Sequence, residues 1–132
     1  MTTTEFDSWL TRYGAAWESR DPDAAAALFT ADAEYYWTPF GEPKRGTSEI
    51  AAAWAQATSR QAQVRFRFQT LVVSGNIGIA KWHTHFVRAA TNREIEIDGI
   101  LVADVDESGR CRIFREWWHS NEDHSATPGS EE

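Results

Sequence analysis

The chain has 132 residues, of which 42% are hydrophobic, and its formal net charge at pH 7 is −7. This length predicts one domain with a hydrophobic core of its own. The acidic balance argues against binding to nucleic acid or to an anionic membrane surface, because both need a basic patch.

The cysteine count and the N-terminal segment indicate a compartment. Cys111 is the only cysteine, so the chain has no intramolecular disulfide. Because no base is identifiable beside Cys111, we expect it to be a small core residue and not a nucleophile. The residues after Met1 lack the basic start and apolar run of a secretion signal, and no stretch reaches membrane-spanning length. We therefore expect a cytoplasmic protein.

Two helices are predicted at the start of the chain. Apolar side chains from Phe6 to Trp17 recur at the i, i+3, i+4, i+7 spacing of one helix face. Thr2 and Glu5 have the spacing of a capping box before that face. Asp21 followed by Pro22 is typical of an N-cap and a first helical position, so a short second helix is predicted over residues 23–29.

Strands and one further helix are predicted in the rest of the chain. An aromatic strand over 33–37 and turn residues over 38–43 precede a third helix from Gly46 to Ala57. After Ala62 the apolar period changes to two, which is typical of half-buried strands. Four strands are predicted, separated by turns: one from residue 64, then 77–88, 94–106 and 111–120. We expect residues 1–120 to form the domain and residues 121–132 a disordered polar tail.

This order predicts an α+β fold, a cone in which three N-terminal helices pack on a strongly curved, mostly antiparallel sheet and enclose a pocket. The seven Trp, seven Phe and three Tyr exceed the needs of a small core, so we expect part of them to line a ligand pocket or an interface. The rings that we assign to substrate binding are Trp17, Tyr35, Trp37, Phe40, Trp54, Trp82 and Trp117. Strand alternation places Trp117 and Trp118 on opposite faces, so one of them faces outward, where a homodimer would bury it.

Short motifs occur along nearly the whole predicted domain in a recognisable order. They are Arg12-Tyr13, Asp21-Pro22-Asp23, Ala27-Leu28-Phe29, Asp32-Ala33, Gly46-Thr47, Ile50, Asp98-Gly99, Gly109-Arg110 and Arg115-Glu116-Trp117-Trp118. In this order the chain resembles the nuclear-transport-factor-2-like superfamily, and within it ketosteroid isomerase and the SnoaL-like polyketide cyclases. The resemblance implies the cone-shaped fold, whereas the activity stays open because isomerases, cyclases, dehydratases and non-enzymes share it.

The resemblance implies roles for single residues. Tyr13 matches the isomerase tyrosine that donates to a developing oxyanion. The aspartate base that precedes a proline in the isomerase is replaced here by Trp37 or Thr38, so that base is missing. At the end of the last strand, where the cyclases often carry an aspartate, this chain has His119.

The second acid of the isomerase has two matches in this chain. Asp98 matches by its local sequence, and Leu101 matches by its distance from the turn that follows. A carboxylate amid the isoleucines around Asp98 would be partly desolvated, which suits acid–base chemistry. The alternative is that Asp98 closes a bulge with Gly99 and faces water.

His83 and His85 share one strand face, and Trp82 lies on the other. If the Trp82 face is concave, both histidines point outward, and a bulge would turn one of them toward the pocket. The spacing is also a metal-ligand pattern, although we predict neither a metal nor a cofactor. The catalytic candidates are Tyr13, His85, Asp98 and His119.

The sequence leads to an enzyme hypothesis and two alternatives. The first is a cofactor-independent isomerase, cyclase or dehydratase that removes a proton next to a carbonyl in a small, largely apolar ring compound. The second is a binding module of the same fold that holds a small ligand or a partner without chemistry. A third is the small subunit of a larger oxygenase.

Overall fold

The computed structural model describes residues 1–122, which form an α+β fold of helices packed against a curved, mostly antiparallel sheet, as predicted. The helices are α1 (Thr3–Glu18), α2 (Pro22–Ala26) and α3 (Gly46–Thr58), and the strands are β1 (Phe29–Tyr36), β2 (Lys44–Arg45), β3 (Gln61–Ser74), β4 (Ile77–Arg88), β5 (Glu94–Val105) and β6 (Cys111–Ser120). The strand order is β2-β1-β6-β5-β4-β3, and the β1–β6 pair is parallel.

The two predicted helix starts are confirmed. Thr2 Oγ1 accepts a hydrogen bond from the Glu5 amide at 3.0 Å, and Glu5 Oε1 accepts one from the Thr2 amide at 2.7 Å, which is a complete capping box. The bond from the Thr2 backbone amide lowers the pKa of Glu5. Asp21 Oδ1 accepts from the Ala24 amide at 3.1 Å, and Pro22 opens α2.

The boundaries around β1 differ from the prediction. The second helix ends at Ala26 and not at residue 29, and β1 begins at Phe29 and not at residue 33. Pairing with the last strand explains the difference, because Phe29 lies beside Cys111 in the parallel ladder. The two-residue strand β2, which pairs Arg45 with Glu34, was not predicted because two residues carry no periodicity.

Strand irregularities give the sheet its curvature. The β3–β4 register shifts between Ala62 and Arg65, where Gln63 has a φ of 52°, and shifts again between Thr70 and Val72. Such bulges bend a strand and increase its twist. The long strand β3 therefore curls over α1, which buries Phe6, Trp9, Leu10, Tyr13, Gly14, Ala16 and Trp17.

The end of the described chain bonds to the sheet. Asn121, which we assign to the polar tail, exchanges two hydrogen bonds with Glu96, and Glu122 pairs with Arg88. Residues 123–132 of the predicted tail lie outside the described residues. None of the helices in the described part is long and apolar enough to cross a membrane.

Candidate active site

The concave face of the sheet carries the Trp82 side of β4. Trp82, Thr84 and Phe86 are buried, while His83 and His85 between them are only half-buried and point to the convex side. Of the two orientations left open by the sequence, the structure therefore has the one in which both histidines point outward.

A carboxyl group and two phenols meet inside the cone. Tyr13 from α1, Tyr35 from β1 and Glu116 from β6 are all buried, and Glu116 is 1% exposed. The two hydroxyl oxygens are 2.5 Å apart. Tyr13 Oη lies 3.0 Å and Tyr35 Oη 3.1 Å from Glu116 Oε1.

The three oxygens form a closed ring of contacts that has a definite proton count. Each phenol supplies one donor proton, so an ionised Glu116 leaves two protons for three contacts. A protonated Glu116 supplies a third proton, and each contact can then be a hydrogen bond. The cluster of Tyr13, Tyr35 and Glu116 can therefore hold either two or three protons in one compact arrangement.

Aromatic rings surround this cluster. The Tyr13 ring stacks on Trp9 at 5.5 Å and on Phe114 at 5.3 Å, and it meets Trp54 edge to face at 5.4 Å. The Tyr35 ring packs 4.7 Å from Phe114. Such surroundings exclude water and strengthen hydrogen bonds among the three oxygens.

Four of the seven rings assigned to substrate binding lie inside the cone. Trp17, Tyr35, Trp54 and Trp82 are buried on its inner side. Trp37 is half-buried, and its carbonyl accepts a hydrogen bond from the Trp118 indole at 2.7 Å.

The two other rings lie outside the cone. Phe40 is 99% exposed in the loop before β2, and Trp117 is 44% exposed on the convex face. The prediction that these two line the pocket is wrong in the free chain, because β6 alternation turns Trp118 inward and the loop carries Phe40 into solvent.

His85, Asp98 and His119 lie on the convex face and are not brought together with Tyr13. His85 Nε2 is 3.2 Å from Glu94, while Asp98 is 3.2 Å from His83 Nδ1. His119 pairs with Asp98 across the β5–β6 ladder, and the two share that face. The expectation that these three converge on the pocket is wrong, because strand alternation gives the inward positions to their neighbours.

The polar groups of the convex face do not form a metal centre. His83 is held between Asp98 at 3.2 Å and Glu96 at 3.1 Å. Within residues 1–122, no group of three or more His, Cys, Asp or Glu side chains has the geometry of a metal site.

Glu116 is the functional candidate that the sequence interpretation missed. Its signal was present: Phe114, Glu116 and Trp118 alternate along β6, and the first and last are large rings that belong to the interior. The two-residue alternation of the strand puts Glu116 on the same face, so it predicts a carboxyl group in the core. The motif Arg115-Glu116-Trp117-Trp118 was used to identify the family resemblance and to divide the two Trp rings between the faces of the strand, and Glu116 was given no role.

Further polar groups are buried in the described part of the chain. Trp54 Nε1, Trp82 Nε1, Thr84 Oγ1 and Gln61 Nε2 are buried without a hydrogen-bond partner in the described part of the chain. Gln61 Oε1, in contrast, accepts from Trp17 Nε1 at 2.7 Å.

Other features of the described chain lie away from the cluster. A surface groove of about 710 Å³ between α2, α3 and the β5–β6 turn contacts none of its three residues. Burial raises the pKa of the Cys111 thiol well above its usual range, and a raised pKa keeps a thiol protonated and unreactive. This supports the prediction that Cys111 is a core residue.

Comparisons with known proteins agree with this architecture. No curated protein is significantly similar to the chain. One similar solved structure is a hypothetical protein with a ketosteroid isomerase-like fold from Catenulispora acidiphila DSM 44928, in complex with trimethylamine. The two chains are 16% identical, the alignment covers 83% of each, and the TM-score is 0.74, which shows a common fold. The family model described as a SnoaL-like domain matches residues 10–114. Because that match spans most of the chain, the protein belongs to the SnoaL-like domain family.

Proposed function

We propose that the protein is a cofactor-independent enzyme that moves a proton next to a carbonyl group in a small, largely apolar ring compound. The observation that carries this proposal is the buried cluster of Glu116 with the hydroxyls of Tyr13 and Tyr35. A general acid–base catalyst needs a group that takes up and returns a proton close to the substrate. Among the described residues, Glu116 is the carboxyl that is buried, and it replaces His85, Asp98 and His119 as our candidate.

The two tyrosines have a supporting role in this chemistry. As a base, Glu116 accepts the proton from the carbon, and the hydrogen of one phenol remains to bond the neutral acid while the other phenol is released. Tyr13 or Tyr35 can turn its hydroxyl toward the substrate oxygen, where negative charge develops. The same arrangement run in reverse returns the proton to a different carbon, which produces an isomerised ring.

The test is deuterium exchange at the carbon beside the carbonyl. The wild-type chain is incubated with 1-tetralone and with a β,γ-unsaturated bicyclic ketone in D₂O, and exchange is followed by NMR. We expect exchange above the buffer rate, and a loss of about 100-fold or more in Glu116→Gln, within the range of general acid–base catalysis. Glu96→Gln is the matched control, because Glu96 is a carboxyl on the convex face.

Two results would contradict the enzyme proposal. One is wild-type exchange no faster than buffer on both ketones, and the other is equal exchange in the wild type and a folded Glu116→Gln variant. A circular dichroism melt of each variant separates lost chemistry from lost structure.

A second candidate is a non-catalytic module that binds a small alkylammonium ion. Aromatic faces and a carboxylate are the groups that hold such cations, and Glu116 lies among Tyr13, Tyr35 and their ring neighbours. The similar structure from Catenulispora acidiphila was solved with trimethylamine. Titration with trimethylammonium chloride tests this candidate: a melting temperature that rises in the wild type but not in Glu116→Gln favours it.

We also propose that the protein is a homodimer through its convex face. Trp117 of β6 is 44% exposed there. Its cross-strand partner Ile100, together with Val102 of β5 and Ile113 of β6, lies on the same face. A stable interface needs about 800 Å² from each partner, and these apolar side chains, which alternate with Arg115 and Asp104, would lie at the centre of one. Light scattering should give twice the chain mass of 15.0 kDa.

The dimer has its own control variant. Trp117→Arg should shift the measured mass to that of one chain, whereas Phe40→Arg should leave the dimer intact because Phe40 is an exposed ring on a loop. A monomeric wild type at micromolar concentration would contradict this part of the proposal.

A further inference from the structure

The last concave residue of β4 is a buried arginine that holds a carboxylate of its own chain. The Arg88 side chain is 10% exposed and lies with its guanidinium 5.0 Å from the centre of the Phe86 ring. Arg88 Nη2 donates to Glu122 Oε1 at 2.7 Å and Nε donates to Glu122 Oε2 at 2.8 Å. This two-bond geometry is the one by which arginine recognises carboxylates.

The two members of this ion pair are anchored differently. Arg88 is fixed in the sheet, since its amide donates to the Arg93 carbonyl at 2.8 Å and its own carbonyl accepts from Asn92 at 2.7 Å. Glu122 follows the end of β6 and belongs to no strand. A carboxylate supplied from outside the chain can therefore replace Glu122 at Arg88 without breaking the sheet.

Stability alone explains the pair poorly. A buried ion pair costs desolvation energy, and replacing one with apolar residues is often neutral or stabilising. A buried arginine beside the Phe86 ring is instead well suited to recognise an anion.

Unused hydrogen-bond donors lead from Arg88 into the cone. Gln61 lies directly opposite Arg88 in the β3–β4 register, and its Nε2 has no partner in the described chain. Thr84 Oγ1 and Trp82 Nε1 follow on the same face of β4, also without partners. A buried donor without an acceptor costs about 1–3 kcal/mol, so these groups favour a ligand that brings oxygen acceptors.

The local charge also favours an anion. The chain has a formal net charge of −7, yet Arg60 and Arg88 line a common cavity of about 450 Å³. Arg20 lies next to it, since its guanidinium donates to the Gln61 carbonyl at 3.0 Å. Glu122 offsets the charge of Arg88 in the ion pair, so Arg20 and Arg60 are the further positive charges that attract an anionic ligand to this end.

We propose that Arg88 binds the carboxylate of the ligand, and that Glu122 occupies this place in the free protein as a competing carboxylate. The inference rests on the proposed function, because it places the rest of the ligand in the cone that contains Glu116. Glu116 lies in β6, and Glu122 follows six residues later, just beyond the end of the strand. Their Cα atoms are therefore at most about 20 Å apart. A ligand that reaches both Arg88 and Glu116 is therefore an elongated ring compound with a terminal carboxylate.

Calorimetric titration with 2-naphthoate and its neutral isostere 2-naphthamide tests the inference. In the wild type, we expect naphthoate to bind more tightly than naphthamide, with a preference that weakens as salt is added. Glu122→Gln removes the competing carboxylate, so its affinity for naphthoate should rise by about 10-fold while that for naphthamide stays the same. Arg88→Gln should abolish the preference for naphthoate.

A double variant covers the case in which Glu122→Gln fails to fold. Arg88→Gln with Glu122→Gln removes both members of the ion pair, and it should bind naphthoate and naphthamide equally. Equal affinities for the two probes in the wild type would overturn the inference, and so would a folded Glu122→Gln variant that binds naphthoate no more tightly than the wild type.

Glu116→Gln separates this inference from the proposed function. It should keep the naphthoate preference, because that preference arises from the charge of Arg88, while it loses deuterium exchange. Absence of the preference in a wild type that still catalyses exchange would remove the carboxylate site and leave the acid–base proposal standing.

Discussion

Substitution of Gly14 by alanine should destabilise the protein although it improves a helix. Gly14 lies inside α1, where alanine is favoured over glycine by about 1 kcal/mol. A Cβ atom at Gly14 would lie 2.6 Å from Phe66 Cδ2, however. The Phe66 ring cannot simply move aside, because it packs 5.5 Å from Tyr13 and 5.8 Å from Trp17. Overpacking of this kind costs about 1–3 kcal/mol, so we expect a net loss of about 1 kcal/mol.

Thermal and urea unfolding of matched variants measure this balance. A net loss of 1 kcal/mol lowers the melting temperature by about 3–5 °C in a domain of this size. Ala15→Gly, at an exposed neighbouring position of α1, should lose only the helix preference of about 1 kcal/mol. In a Phe66→Ala background the contact is gone, and Gly14→Ala should then stabilise. A Gly14→Ala variant that melts above the wild type would refute this reasoning.

Three further predictions concern other named groups. Tyr35→Phe removes a proton from the cluster with Tyr13 and Glu116, so we expect a loss of about 1–3 kcal/mol in urea unfolding and slower deuterium exchange; unchanged values of both would contradict the proton count. Cys111, with its pKa raised by burial, should not react with a disulfide reagent at pH 8 until denaturant is added, and rapid reaction of the native protein would show that the thiol is accessible. The hydroxyl of Ser108 and the amide of Arg110 lower the pKa of Asp106 below its ordinary value of 3.8, so the ionised form stabilises the fold. The stability difference between the wild type and Asp106→Asn should therefore be complete above pH 3.8 and shrink as the pH falls through the lowered pKa, whereas a difference that grows in acid would exclude this cause.

Local patterns predicted most of the fold correctly. The capping box at Thr2, the N-cap at Asp21 and the period-two strands after Ala62 depend on neighbouring residues, and the structure has each of them. The start of β1 at Phe29 could not be predicted in this way. It depends on pairing with Cys111, more than eighty residues away, and no local period records that contact.

The candidate site shows where sequence reasoning stopped. Alternation separated His83 and His85 from Trp82, but it did not state which side faces the helices, since each side carries some apolar residues. Asp98 and His119 were chosen as catalytic candidates because they are titratable and match positions of the family that the chain resembles. Both lie on the exposed, convex face of the sheet. To find Glu116, the sequence analysis would have had to place a carboxyl group in the core, which is rare unless partners surround it. Those partners, Tyr13 and Tyr35, come from elements distant in the sequence.

The parallel β1–β6 pair also has a consequence for co-translational folding. Strand β1 precedes the other strands in the chain, yet one of its two neighbours in the sheet is β6, the last strand among the described residues. Contacts so far apart in the chain are slow to form, and β1 has to wait for them until β6 leaves the exit tunnel. During that interval its unpaired edge is open to other strands. We therefore expect a chaperone, or a pause in translation between β1 and β6, to affect the yield of this protein more than a change in its first helices.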